Sequence, residues 1–285
     1  MVSQGVVATP INAMKLKSIE YSFALLTHCF CGGADNQNAP AEMRVPSIRG
    51  QVRAWQREIT DVETVNRIWG STVGDCGASH VGLICDDLGP SRPAQTKHDI
   101  LPHKILPHKN QGKRLALSAG QSFTLKLQRL IGCSNDDWAS AQNAIKFWLL
   151  VGCLGLRANR AAGSVWPLDD GQAEKNWVPQ TSAQLGNLLR GLGFRWPVQL
   201  VETPAGTPAE ELRRLASDTV KGYPELFGDI KPVRSPSPTK FKVIELDGQP
   251  RLLVTAPPPP TVKLSEVCNA LSGDNKAGRF QWKPI

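Results

Sequence analysis

Arg49, Arg53 and Arg57 stand at four-residue intervals, the spacing in this sequence that points most directly to a chemistry. On a helix that turns about 100° per residue they form one stripe. It lies beside an apolar face of Ile48, Val52, Trp55 and Ile59. A row of guanidinium groups can neutralise successive phosphates. Arg44 and Ser47 stand where that helix opens, and Gly50 in its first turn permits close backbone approach, where free amides suit an anion. A solvated basic face with a glycine kept for packing fits the same spacing equally well.

Gly152 to Ser164 joins an apolar helix to a short strand through Gly155 and Gly163, with Arg157, Asn159 and Arg160 between them. Successive amides in such a loop can form a nest for phosphates. The plainer reading is a helix C-cap with arginines near the negative end of the dipole. No Walker pattern is present.

Further on, Ile100-Leu101-Pro102-His103-Lys104 is repeated at once as Ile105-Leu106-Pro107-His108-Lys109, followed by Lys113 and Arg114. His98, His103 and His108 could join Cys29, Cys31, Cys76 or Cys85 around a metal, but nothing has strong zinc spacing, so neither metal nor cofactor is expected. A histidine could also serve as a general base. Histidines beside lysines in a long loop are more simply contacts to a polyanion. Asp35 is the weak catalytic candidate. It lies among Gly32, Gly33, Asn36, Gln37 and Asn38, a composition that explains itself as a turn, so catalysis is not assigned.

The 285 residues carry a net charge of +8, which favours polyanionic partners, nucleic acid ahead of membrane. No stretch is apolar enough to span a bilayer. The first residues lack the pattern of a secretory signal, and seven cysteines without a framework suit free thiols, so a cytoplasmic protein is expected.

The elements that must hold these residues follow from periodicity. Ile19, Tyr21, Phe23 and Leu25 alternate as a half-buried strand. A helix capped by Ser47 runs to about Ile59, and a capping box of Thr60 and Glu63 restarts helix through Trp69 to Gly70. Strands are expected at Ser79 to Asp86 and Gln121 to Leu130, an apolar helix at Asp136 to Leu154, and an extended piece at Ser164 to Trp166. The order βαββαβ predicts an α+β, ferredoxin-like (RRM-like) domain over 1–175, whose open sheet face is a common place to lay single-stranded RNA. Its 91–112 connection would form an arm. Over 176–285 the sequence predicts helices at Thr181 to Leu192 and after Thr207, a hairpin around Asp247-Gly248, a stiff connector at Pro257 to Pro260, and a last helix at Leu264 to Leu271. This is a C-terminal helical and hairpin extension or a degenerate second ferredoxin-like unit.

Pro46-Ser47-Ile48-Arg49-Gly50 followed by Arg53 and Trp55, then Trp69-Gly70-Ser71, then Arg157 to Ser164, resembles the motif series of the RAMP superfamily of CRISPR proteins. Ser235-Pro236-Ser237-Pro238-Thr239 leading into Lys240 resembles a strand entry of Cmr-type subunits in type III-B effectors. The loop is less basic than the family pattern, with Ala161-Ala162 where a further arginine is common. The resemblance implies an RNA-binding subunit that contacts crRNA near its 3′ end and target RNA in antiviral defence. Its partners would be other RAMP subunits and the small helical subunit, without a membrane. It also implies that an arm near residues 100–109 pushes into the guide–target duplex. A RAMP endoribonuclease cutting target or repeat RNA, and an adaptor with little RNA contact, are the alternatives.

Overall fold

Alternation of apolar and polar side chains fixes which way each strand of the first half faces. In the computed structural model, which describes residues 16–32, 40–72, 77–87, 96–100, 113–169, 177–202, 204–218, 224–227, 237–259, 261–273 and 281–285, β1 (Ser18–Leu25) turns Tyr21, Phe23 and Leu25 inward. It pairs antiparallel with β5 (Ser122–Arg129), setting Phe23 opposite Phe123 with their rings stacked 5.5 Å apart. β2 (Val81–Asp87) adds to the far side of β5, and β6 (Val165–Pro167) to the far side of β1. The order is β2-β5-β1-β6.

One face of this sheet is covered by α1 (Val45–Gln56), α2 (Val62–Trp69) and α3 (Asn135–Val151). Ile48, Val52 and Trp55 of α1 and Trp148 of α3 enter a single core with the strands. The Trp55 ring meets Phe147 edge-on at 5.7 Å. Fully burying such side chains contributes roughly 1.5–3 kcal/mol each.

Several helix starts differ from the expectation. Ser47 does not cap α1: the helix begins at Val45 after an extended Arg44, with Pro46 in the first turn, where a missing amide costs nothing. Asp61, not Thr60, caps α2 by accepting from the Thr64 amide at 2.7 Å. Thr207, Pro208 and Glu210 have the spacing of a capping box, but Thr207 donates to the Pro204 carbonyl at 2.7 Å, and the next helix starts at Ala209.

The second half follows α4 (Ser182–Gly191), the expected helix, which is capped by a full box between Thr181 and Gln184. Its sheet is built of β7 (Val198–Glu202), β8 (Lys240–Leu246), β9 (Gln249–Thr255) and β10 (Gln281–Pro284), in the order β10-β7-β9-β8, all antiparallel. The expected hairpin is β8–β9, turned by Asp247 and Gly248, both at positive φ. In each sheet the strands run fourth, first, third, second in chain order. Phe241 and Val243 pack with α5 (Ala209–Asp218) and α7 (Leu264–Gly273), while Ile244, Leu246 and Leu253 on the opposite face join the first half's core.

Between β2 and β5, in the connection expected to form an arm, β3 (Lys97–Asp99) pairs with β4 (Lys113–Leu115) as a two-stranded ladder, which sets His98 opposite Arg114. Residues 101–112, including His103, Lys104, His108 and Lys109, lie outside the described residues, as do Asp35 and Cys76. No helix among the described residues is long and apolar enough to cross a membrane.

Candidate nucleic-acid interface

The arginine stripe is held from beneath by a buried polar relay. Gln56, at the end of α1, is fully buried, accepts from Trp69 Nε1 of α2 at 2.5 Å and donates to Ser140 Oγ of α3 at 3.0 Å. This fixes the roll of α1 on its neighbours. Ile48, Val52 and Trp55 then face the core, and Arg49, Arg53 and Arg57 emerge on the adjoining side.

There the three arginines line one open groove of about 540 Å³, with Asn66 of α2, Gly70, Ser71 and Thr72 after it, and Gly77 and Ser79 opposite. Gly70 sits at φ 77°, and a Cβ there would stand 3.0 Å from the Gly77 oxygen, so the groove floor requires glycine. Arg53 donates to Asn66 Oδ1 at 3.3 Å. Its guanidinium is held below its ordinary pKa first by partial burial, then by the charges of Arg57 and Arg49. The Arg49 Nε is buried with no hydrogen-bond partner among the described residues. Mutually repelling cations with a spare donor suit an anion that bridges them.

A carboxylate braces the outer wall. Asp137, at the start of α3, accepts two bonds from Arg67 Nε and one from Nη2 at 2.9–3.2 Å, and lies 3.0 Å from His80 Nδ1. Burial raises its pKa, but the bonds from Arg67 and His80 outweigh this and leave it below its usual value.

The glycine-bearing loop makes contacts within the protein. Arg160 is 6% exposed and turns into the second half. It donates to the Phe227 carbonyl at 2.6 Å and to Ser237 Oγ at 3.3 Å, and lies over the Phe227 and Phe241 rings. Burial brings its pKa down to about 10. Asn159 gives its carbonyl to the Phe241 amide, and Ser164 Oγ accepts from the Val243 amide, so the loop closes the edge of β8. Arg157, at φ 62°, is the loop arginine that stays exposed.

Lys240, which sequence reasoning missed, lies between these sites. Burial lowers its pKa, and it feels Arg160 on one side and Glu58, just past α1, on the other. Its amine donates to the Ser237 carbonyl at 3.0 Å. Nothing in its local pattern marks it, because its neighbours come from distant segments.

Of the other residues singled out, Arg44 is exposed and pairs with Glu42 at 3.2 Å, and Ser47 is half-buried within α1. Gly50 faces open space, so a backbone approach there is unobstructed. Lys113 and Arg114 belong to the β3–β4 ladder. Cys29 and Cys31 face each other at 3.1 Å inside the core, and their shared hydrogen bond, with burial, keeps the Cys29 thiol protonated. Among the described residues no cluster of three or more His, Cys, Asp or Glu is placed to hold a metal.

The open face of the first sheet, a common place to lay single-stranded RNA in such folds, carries an ion pair and a buried tryptophan. Glu20 and Lys126 face each other across it and pair at 3.1 Å. Trp166, on the same face, is buried with Lys242 Nζ 5.7 Å from its ring centroid.

No family model matches the sequence, and no curated protein matches it. Solved structures do. Cmr1 from Pyrococcus furiosus in its apo form superposes with a TM-score of 0.61 at 17% identity, over 94% of this chain and 98% of that one. A chain of the Type III-B Cmr-beta complex bound to cognate target RNA gives a TM-score of 0.56 at 10% identity, over 91% and 98%. A second Cmr-beta structure, bound to cognate target RNA and AMPPnP, gives 0.55 at 11% identity, over 85% and 94%. Over nearly its whole length, therefore, the chain is Cmr1-like in fold.

Proposed function

We propose that this chain is a cytoplasmic RNA-binding subunit of a type III, Cmr-type CRISPR effector, contacting crRNA near its 3′ end and target RNA in antiviral defence. One observation carries the reading: Arg49, Arg53 and Arg57 converge on a single open groove, where the Arg53 guanidinium donates to Asn66 and Arg49 Nε lacks a partner among the described residues. Phosphates of a single strand recur at a spacing that such a stripe can follow, and contacts of this kind position the strand without reading its bases. The likeness to chains from complexes bound to target RNA supports the same reading.

The two matched strand orders are read here as a RAMP ferredoxin-like unit over 1–175 and a second, degenerate one over 176–285. Arg157 and Lys240 extend the track, whereas Arg160 serves the seam between the halves. Lys97, Lys113 and Arg114 make the arm's root basic, and the 101–112 segment is assigned to the guide–target duplex. Other RAMP subunits and the small helical subunit are the protein partners. The reading assigns the chain no catalytic step.

Incubating the purified chain with labelled guide, target and repeat RNAs tests this. Retention of guide and target without new fragments is the expected result. Cutting by the chain would make it a nuclease, and failure to retain either RNA would make it an adaptor.

A further inference from the structure

The β3–β4 ladder is fastened to the second half of the molecule. Arg213 of α5 is 2% exposed, with its guanidinium 5.1 Å from the Phe30 ring centroid. Its Nη2 donates to two successive carbonyls, Asp99 at 2.9 Å and Ile100 at 3.1 Å. Its Nη1 donates to Glu210 Oε2 at 2.8 Å, while Glu210 Oε1 accepts from the His28 amide at 2.8 Å. The His28 ring stacks on His98 of β3 with centroids 3.5 Å apart and planes 20° apart. Ile100 packs against Phe30, Ala116 and Ala162.

The contacts to Asp99 and Ile100 land at the end of β3. A two-stranded ladder of three residues a side is marginal in water on its own. Two successive carbonyls captured by one planar cation leave the backbone little freedom in its next dihedrals. An apolar side chain could fill the same space at similar stability, since a buried ion pair is rarely the most stable choice. What the charged pair adds is a fixed place for the ladder.

We infer that Arg213, held by Glu210, is the positioning residue that fixes the β3–β4 ladder, with its Lys97, Lys113 and Arg114, against the second half. Its consequence for RNA rests on the proposed reading that this part of the chain meets the guide–target duplex. A helix of the second half thereby governs how an element of the first half is presented.

Hydrogen exchange of the 97–99 and 113–115 amides in the full chain tests the clamp, alongside affinities for guide RNA alone and for guide–target duplex. Arg213→Met should speed exchange in the ladder tenfold or more and leave β1 and β5 amides unchanged. It should weaken duplex binding about tenfold and leave guide binding within twofold. Arg213→Lys, which keeps a donor, should restore ladder exchange to within about threefold of wild type. Wild-type protection of the ladder in Arg213→Met would overturn the inference, as would equal loosening of β1 and β5. A loosened ladder with wild-type duplex binding would uphold the clamp and sink the duplex reading instead. Should Arg213→Met fail to fold, Glu210→Gln decides: faster ladder exchange supports the clamp and unchanged exchange overturns it.

Discussion

Arg53 shows how a single residue can be costly to the fold and useful to function. It is partly buried, repelled by two neighbouring guanidinium groups, and bonded only weakly to Asn66. Removing it takes away one long hydrogen bond and relieves that repulsion. Arg53→Ala should therefore change the unfolding free energy by less than about 0.5 kcal/mol, while RNA affinity falls severalfold. Chemical denaturation and filter binding on the same preparation check both halves. A loss above about 2 kcal/mol would mark Arg53 as a packing residue. The stripe was legible in the sequence because its partners lie one turn apart on the same helix. The fate of Arg160 was not, because its acceptors, Phe227 and Ser237, lie far along the chain.

Among the elements, the Gly152–Ser164 loop shows how one glycine pattern can serve two readings. Gly163 stands at φ 62°, and a Cβ there would collide with the Leu154 carbonyl; at Gly155 a Cβ would come within 2.8 Å of the Phe30 oxygen. These glycines let backbone approach backbone, and no phosphate is needed to explain them. Gly163→Ala should cost at least about 2 kcal/mol, combining left-handed strain with the collision. Gly50→Ala should fold at least as well as wild type, because nothing stands near that position and alanine favours the helix. Thermal melts of the two variants make the comparison, and equal melts would contradict it. Long alternating strands such as β1 and β5 were readable. β7 and β10 were missed, being short, with β10 an edge strand that ends on Pro284, where a missing amide is tolerated.

For the whole molecule, the two halves meet over a buried amine. Lys242 is fully buried, donates to the Leu149 carbonyl near the end of α3 at 2.6 Å, and has its pKa pushed down from 10.5 to about 7 by burial. Below about pH 7 both folded and unfolded chains hold this proton, and the folded state bears the full penalty of burying the charge. Between about 7 and 10.5 the unfolded chain keeps a proton that the folded chain has released, so this group makes stability rise with pH across that window. Lys242→Met should remove that rise and gain most at the acid end. Denaturant midpoints at pH 6 and pH 9 read it out, and parallel profiles for the two proteins would contradict it. Ile244, Leu246 and Leu253 of the second sheet share one core with the first half around this amine.

The central claim is that α1 holds an RNA backbone, and the salt dependence of binding tests it most directly. Affinity for single-stranded guide RNA is measured across a range of salt for the wild type and for the Arg49→Ala, Arg53→Ala, Arg57→Ala triple variant. The account predicts weaker binding to every RNA sequence alike, with the slope of log affinity against log salt lowered by about 0.7 per lost phosphate contact, roughly 2 in all. Unchanged affinity and slope would return the three arginines to a solvated face.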